Sequence, residues 1–332
     1  MLNRLLGILI FVSSLLLAWG WMEYDDFVKT PLILPETGLT YDLKPGTTIR
    51  RVASDLVAQG VLNKPTLLRL VARWNGQASR LKAGEYHLPP RITPPQLLEI
   101  LTSARVVQHT MTIIEGWTFN QLIAAVRRQD ALKQTLEGVE NDQIMARLGL
   151  DGVHPEGRFY PDTYHFPKGT TDKEFLLRAY HRMETFLQVA WEKRDKDLPL
   201  HSPDEALILA SIIEKETAIP SERGKIAGVF VRRLKKGMRL QTDPTVIYGM
   251  GEAFDGNIRR RDLMTDTPYN TYMHKGLVPT PIALPSGAAI EAALHPEDGD
   301  ALYFVATGDG GHHFSATLEA HNQAVRKYQL KR

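Results

Sequence analysis

The chain has 332 residues, 43% of them hydrophobic, enough to bury a sizeable core and to form two domains. Its 40 basic residues nearly balance its 38 acidic ones and no basic run carries interleaved aromatics, which excludes a nucleic-acid partner. Cysteine is absent, so disulfides, thiolate metal ligands and cysteine nucleophiles are excluded, and an oxidising compartment is compatible with the composition.

From Leu5 to Trp21 no residue is charged, Arg4 precedes the stretch, and Glu23, Asp25 and Asp26 follow it. Positive charge stays on the inner side of a membrane. The pattern therefore predicts a cytoplasmic tip at 1–4 and a transmembrane anchor at 5–22, with the rest of the chain facing outward. Ala18-Trp19-Gly20 also fits a signal-peptide cleavage site, and a cleaved signal stays open as the alternative. Residues 23–39, with Pro31, Pro35 and Gly38, read as an extended linker.

A small module is predicted over 40–104. Leu43 through Thr47 read as strand, turn and helix cap, and Ile49, Val52, Ala53, Leu56 and Val57 then recur at helical spacing up to Gly60. A second helix runs from Pro65 to Trp74, a strand from Ala83 to Leu88, and Thr93-Pro94-Pro95-Gln96 is a capping box for one more helix. This βααβ order resembles the LysM-like modules of envelope proteins, which bind glycan chains; a spacer domain without carbohydrate contact fits as well. Trp74 and Tyr86 suit either sugar stacking or a core.

The remainder, 105–332, reads as a larger mixed α+β domain. Capping boxes at Thr171–Glu174 and Ser202–Glu205 open two helices, the second carrying Ala206, Leu207, Leu209, Ala210, Ile212 and Ile213 into Glu214-Lys215-Glu216. A further helix starts at Ser221-Glu222 and stops at Gly237, and a hairpin joins Tyr303–Ala306 to His313-Phe314. Glu214 and Glu216 point roughly 200° apart on a helix, so one cavity would receive only one of them. A carboxyl at the end of an apolar helix can keep its proton near neutral pH and donate it to a leaving group; a frayed, exposed Glu-Lys-Glu run is the plain alternative. Downstream, Gln241–Thr245 and Pro268–Tyr272 are polar segments suited to sugar hydroxyl and acetamido groups. His312, His313 and His321 lack the one-turn spacing of zinc helices, so no metal and no cofactor is predicted.

Glu156 through Tyr164, Ala210 through Thr217, Gly237 through Gly249, Tyr269-Asn270-Thr271-Tyr272, Leu302–Val305 and Gly310–Phe314 together resemble the membrane-anchored endolytic murein lytic transglycosylases of the MltG, YceG-like family. The resemblance covers nearly all of the chain. It implies that Glu216 is the catalytic glutamate, acting as general acid and then as general base. The bond cleaved would be the MurNAc-GlcNAc β-1,4 bond of peptidoglycan glycan strands, leaving 1,6-anhydro-MurNAc ends. Glu214, Gln241, Asp243, Tyr269, Asn270, Tyr272 and Arg158 become candidates for support or substrate binding, and Arg239 a further candidate for carboxylate contact. The implied location is the cell inner membrane, single-pass, with the catalytic domain in the periplasm near peptidoglycan synthases and division or elongation proteins. A non-catalytic glycan-binding scaffold and a hydrolytic muramidase stay open as alternatives.

Overall fold

The computed structural model describes residues 2–330 as a mixed α+β structure. Contacts divide the chain into two compact units, one running up to His109 with His165–Gly169, the other made of Thr110–Tyr164 and Thr170 onward.

The first unit begins with α1 (Leu2–Lys29). It is the one helix among the described residues long and apolar enough to cross a membrane, with a mean hydropathy of 2.1. The expected extended conformation from residue 23 is overturned, because the helix continues through Lys29. Acidic residues do not break a helix. Lys29 pairs with Asp25 one turn back at 2.7 Å, Lys64 holds Glu23 at 2.6 Å, and Phe27 enters the core at 6% exposure. The stop comes at Thr30, whose successor Pro31 disfavours the helical conformation in the residue before it.

Two antiparallel ribbons follow: β1 (Leu32–Ile33) pairs with β4 (Arg91–Ile92), and β2 (Leu39–Leu43) with β3 (Gly84–Leu88), placing Tyr41 opposite Tyr86. Between β2 and β3 lie α2 (Ile49–Ala58) and α3 (Pro65–Trp74). The cap of α2 is Thr48, one residue later than the Pro45-Gly46-Thr47 turn suggests; its hydroxyl accepts from the Arg51 N–H. α4 (Pro94–Thr102) opens with the Thr93/Gln96 capping box. Val52, Leu56, Leu68, Val71, Tyr86, Leu97 and Leu101 form a dry core. Tyr86 is fully buried and donates its hydroxyl to the Lys82 carbonyl at 2.7 Å, whereas Trp74 is 67% exposed and meets Tyr24 edge-to-face.

In chain order the rest comprises β5 (Gln108–Thr112), α5 (Phe119–Arg127), α6 (Ile144–Leu148), β6 (Thr163–Pro167), α7 (Asp172–Glu192), α8 (Pro203–Glu216), α9 (Arg223–Lys235), α10 (Asp243–Met250), α11 (Arg260–Leu263), α12 (Gly287–Leu294), β7 (Tyr303–Ala306), β8 (His312–Ser315) and α13 (Leu318–Tyr328). β5 pairs with β6. β7 and β8 form an antiparallel hairpin with Phe304 opposite Phe314. Every residue of α8 from Ala206 to Ile213 is buried, the signature of a helix enclosed on all sides. α7, α9 and α12 enclose it, and the small side chains Ala289, Ala292 and Ala293 of α12 keep that contact close. The capping box predicted at Ser202 is half realised. The Ser202 hydroxyl accepts from the Glu205 N–H at 3.2 Å, but the Glu205 carboxylate reaches past Ser202 to the His201 N–H at 2.7 Å.

Candidate active site

The last turn of α8 carries both glutamates into different surroundings, as their angular separation requires. Glu214 turns inward and its side chain is 7% exposed. Its Oε2 accepts from the Ser286 N–H at 3.0 Å and the Ser286 hydroxyl at 2.5 Å, and Ser286 in turn caps α12 by accepting from the Ala289 N–H. Arg223 Nη2 lies 3.7 Å from Glu214 Oε1. Glu214 thus fastens α8 to the start of α12.

Glu216 is the final helical residue and is half-buried. Oε1 accepts from the hydroxyl of Thr242. That hydroxyl is held in place: Thr242 is 2% exposed, its N–H donates to Thr271 Oγ1 at 3.0 Å, and Thr245 donates to its carbonyl at 2.8 Å. Burial pushes the Glu216 carboxyl up to about 7, and the neighbouring Asp243 charge adds to the rise. The Thr242 hydrogen bond and the positive charges of His312 and Arg233 oppose it without overcoming it.

Glu216 lies on the walls of two cavities. The larger, about 700 Å³, is lined by Ile114, Glu115, Pro161, Asp162, Glu214 and Arg223 among others. The smaller, about 440 Å³, is lined by Arg233, Gln241, Asp243, Tyr272, Tyr303 and His312 among others. Mixed polar and apolar walls on both sides of one acid suit an extended polar substrate better than a compact apolar ligand.

Gln241, Asp243 and Tyr272 come together with Glu216 at the smaller cavity. Gln241 has φ of 51°, a strained conformation for a non-glycine residue, and its Oε1 lies 3.5 Å from Arg233 Nη1. Asp243 opens α10 and accepts from the Tyr272 hydroxyl at 2.5 Å. Tyr269, Asn270 and Arg158 line neither cavity. The Tyr269 hydroxyl bonds Thr280 Oγ1 at 2.8 Å and its ring meets Tyr248 edge-on. Asn270 is 1% exposed, its amide donating to the carbonyls of Leu263 and Thr265 and its Oδ1 accepting from the Tyr272 N–H. Arg158 bridges Glu184 of α7 and Asp204 of α8, at 3.3 and 2.7 Å. The Arg239 carbonyl accepts from Arg233 Nη1 at 3.2 Å.

Several residues of this neighbourhood were not singled out from sequence. Thr242 sits between two that were, and its signal was the hydroxyl it contributes to a polar run. Arg233 is 6% exposed and donates to the carbonyls of Leu302 and Leu240. Glu156 is 4% exposed, accepts from the Phe119 N–H at 2.9 Å and the Tyr248 hydroxyl at 3.2 Å, and is pushed by burial up to about 7. Its neighbour Gly157, at φ of 80°, passes so close to Pro281 that a Cβ would stand 2.6 Å from the ring.

The model of the YceG-like family matches residues 41–327. An endolytic murein transglycosylase of Bacillus subtilis (strain 168) is 34% identical over 310 residues, covering 88% of this chain and 85% of that protein. A protein of the same name from Streptococcus pneumoniae (strain ATCC BAA-255 / R6) is 26% identical; the match covers 97% of this chain and 64% of that longer relative. The crystal structure of a yceG-like protein from Listeria monocytogenes superposes with a TM-score of 0.52 at 33% identity, covering 87% of this chain and 99% of that one.

Proposed function

The chain belongs to the YceG-like family, and from that membership together with the setting of Glu216 we propose that it is an endolytic murein transglycosylase that cuts peptidoglycan glycan strands. The observation that carries the reading is the Glu216 carboxyl, held by Thr242, lining two cavities and raised by burial to about 7. Such a group is still substantially protonated near neutral pH and can act as a general acid.

The proposed course is as follows. A glycan strand lies through both cavities with a MurNAc-GlcNAc β-1,4 bond at Glu216. The carboxyl protonates the bridging oxygen, the C–O bond to the MurNAc anomeric carbon breaks, and the sugar's acetamido group shares the positive charge that develops there. The 6-hydroxyl of the same MurNAc then attacks that carbon. Glu216, now ionised, takes the hydroxyl proton and is restored, and the product is a 1,6-anhydro-MurNAc end with no water consumed. Gln241, Asp243 and Tyr272 are proposed to orient the saccharide on the smaller-cavity side. Glu214 supports α8 from beneath, and Arg158, Tyr269 and Asn270 support the surrounding fold.

A hydrolytic muramidase is the second reading, favoured by Asp243, a second carboxylate on the wall of the Glu216 cavity that would hold water or act as nucleophile. The length and apolarity of α1 support a single-pass membrane anchor; the inner membrane, a periplasmic catalytic unit and neighbouring glycan synthases and division or elongation proteins are proposed from the family resemblance alone. The strand–helix–helix–strand order over 39–88 supports a LysM-like glycan contact. The deciding experiment digests intact peptidoglycan with the purified full-length protein and identifies the new ends by mass spectrometry. Anhydro-MurNAc ends within strands uphold the proposal, reducing ends replace it with hydrolysis, and uncut glycan replaces it with a binding scaffold.

A further inference from the structure

His312 stands at the start of β8, and nothing in the course above uses it. Glu222, six residues beyond Glu216, accepts from the His312 N–H at 2.8 Å with one oxygen and lies 2.8 Å from His312 Nδ1 with the other. The hydroxyl of Thr217, the residue directly after Glu216, reaches the same carboxylate at 3.4 Å. Both side chains are nearly closed off, at 12% and 14% exposure for His312 and Glu222. Phe304 meets the imidazole edge-on at 5.3 Å and narrows its freedom further. His312 lines the smaller cavity, whose wall it shares with Glu216, Arg233, Gln241, Asp243 and Tyr272.

We propose that Glu222 and His312 form a positioning pair for Glu216, in which Glu222 fixes the imidazole on the cavity wall and the imidazole supplies a positive charge that limits how tightly Glu216 holds its proton. The pair rests on the acid-then-base role of Glu216. An acid that is only desolvated gives up its proton reluctantly; a nearby cation offsets part of that reluctance and stabilises the carboxylate that must next act as base. Beside burial and the Thr242 hydrogen bond, the charged groups acting on Glu216 are Asp243, which raises its proton affinity, and His312 and Arg233, which lower it. Tyr272 is spent on Asp243. Arg233 is permanently charged and tied to the backbone carbonyls of Leu302 and Leu240, whereas the His312 side chain is held by a carboxylate. Glu222 is suited to hold it: burial favours its neutral form, but the contacts with His312 prevail and keep its carboxyl below the usual range.

The test is kcat/KM against pH for the full-length enzyme, with the wild type, His312→Asn, His312→Lys, Glu222→Gln and Glu216→Gln compared. Asparagine can still donate to Glu222 but carries no charge. His312→Asn and Glu222→Gln should each move the alkaline limb upward, by about one pH unit for the histidine change, and His312→Lys should return the limb toward its wild-type position. Folded variants whose limbs stay in place, or an asparagine variant whose limb moves down, overturn the pair while leaving Glu216 as the acid. Should Glu216→Gln retain full activity, the acid role falls and the pair falls with it.

Discussion

Glu214 accepts both the backbone N–H and the hydroxyl of Ser286, so the carboxylate two residues before Glu216 is consumed in joining α8 to α12. The two glutamates should therefore fail differently. Glu214→Ala leaves the Ser286 donors unpaired and should cost about 1–3 kcal/mol, read as a lower urea midpoint. Glu216→Gln should leave that midpoint unchanged or higher while lowering turnover of peptidoglycan by about 100-fold or more. Equal loss of stability from both changes would contradict the division.

The raised carboxyl of Glu216 fixes the sign of the pH dependence. Because the first step needs the protonated form, turnover should fall as pH rises through about 7. Asp243 contributes to that rise, so Asp243→Asn should shift the alkaline limb downward, opposite to the change expected when the His312 charge is removed. A wild-type pH profile flat between about 6 and 9, which brackets the Glu216 value, would remove the general-acid assignment.

The parts of this arrangement legible in the sequence are those set within one element. Ser202, Pro203 and the apolar run from Ala206 to Ile213, interrupted only by Ser211, announce a buried helix that ends on Glu216, and helical geometry alone separates Glu214 from Glu216. What pairs across the chain is not announced. Thr242 meets Glu216 from 26 residues away and His312 meets Glu222 from 90, distances set by how α10 and the β7–β8 hairpin pack rather than by spacing. Within Tyr269-Asn270-Thr271-Tyr272 successive side chains point different ways, so only Tyr272 reaches the cavity while Asn270 is spent on the loop's own carbonyls. The helical course of 23–29 was hidden for a related reason. The linker's prolines and glycine lie at 31, 35 and 38, and the contacts of Phe27 and Glu23 that favour the helix come from the module core and from Lys64, just ahead of α3.

Arg158 separates architecture from substrate binding. Its guanidinium bridges α7 and α8 and faces neither cavity. Arg158→Ala should lower the melting temperature by a few degrees, corresponding to about 1 kcal/mol for partly screened ion pairs, and leave KM for glycan strands unchanged. A raised KM with unaltered stability would instead place Arg158 on the substrate.

Glu156 makes the sharpest stability prediction. Its carboxyl sits at about 7 in the folded chain against an ordinary 4.5, with burial as the cause. Below the ordinary value both folded and unfolded chains hold the proton, and the residue adds no pH dependence. Between about 4.5 and 7 the unfolded chain releases a proton that the folded one retains, so stability declines as pH rises and levels off above the folded value. The decline corresponds to about 3 kcal/mol. Glu156→Gln cannot ionise, and its amide can still accept from the Phe119 N–H while the Tyr248 hydroxyl turns to accept from the new NH₂. Urea unfolding of wild type and variant at a series of pH values should therefore show the wild type losing ground to the variant by that amount between pH 4.5 and about 7.5, with Glu216 titrating equally in both and cancelling. Parallel curves would mean that Glu156 ionises as readily inside the protein as in the unfolded chain.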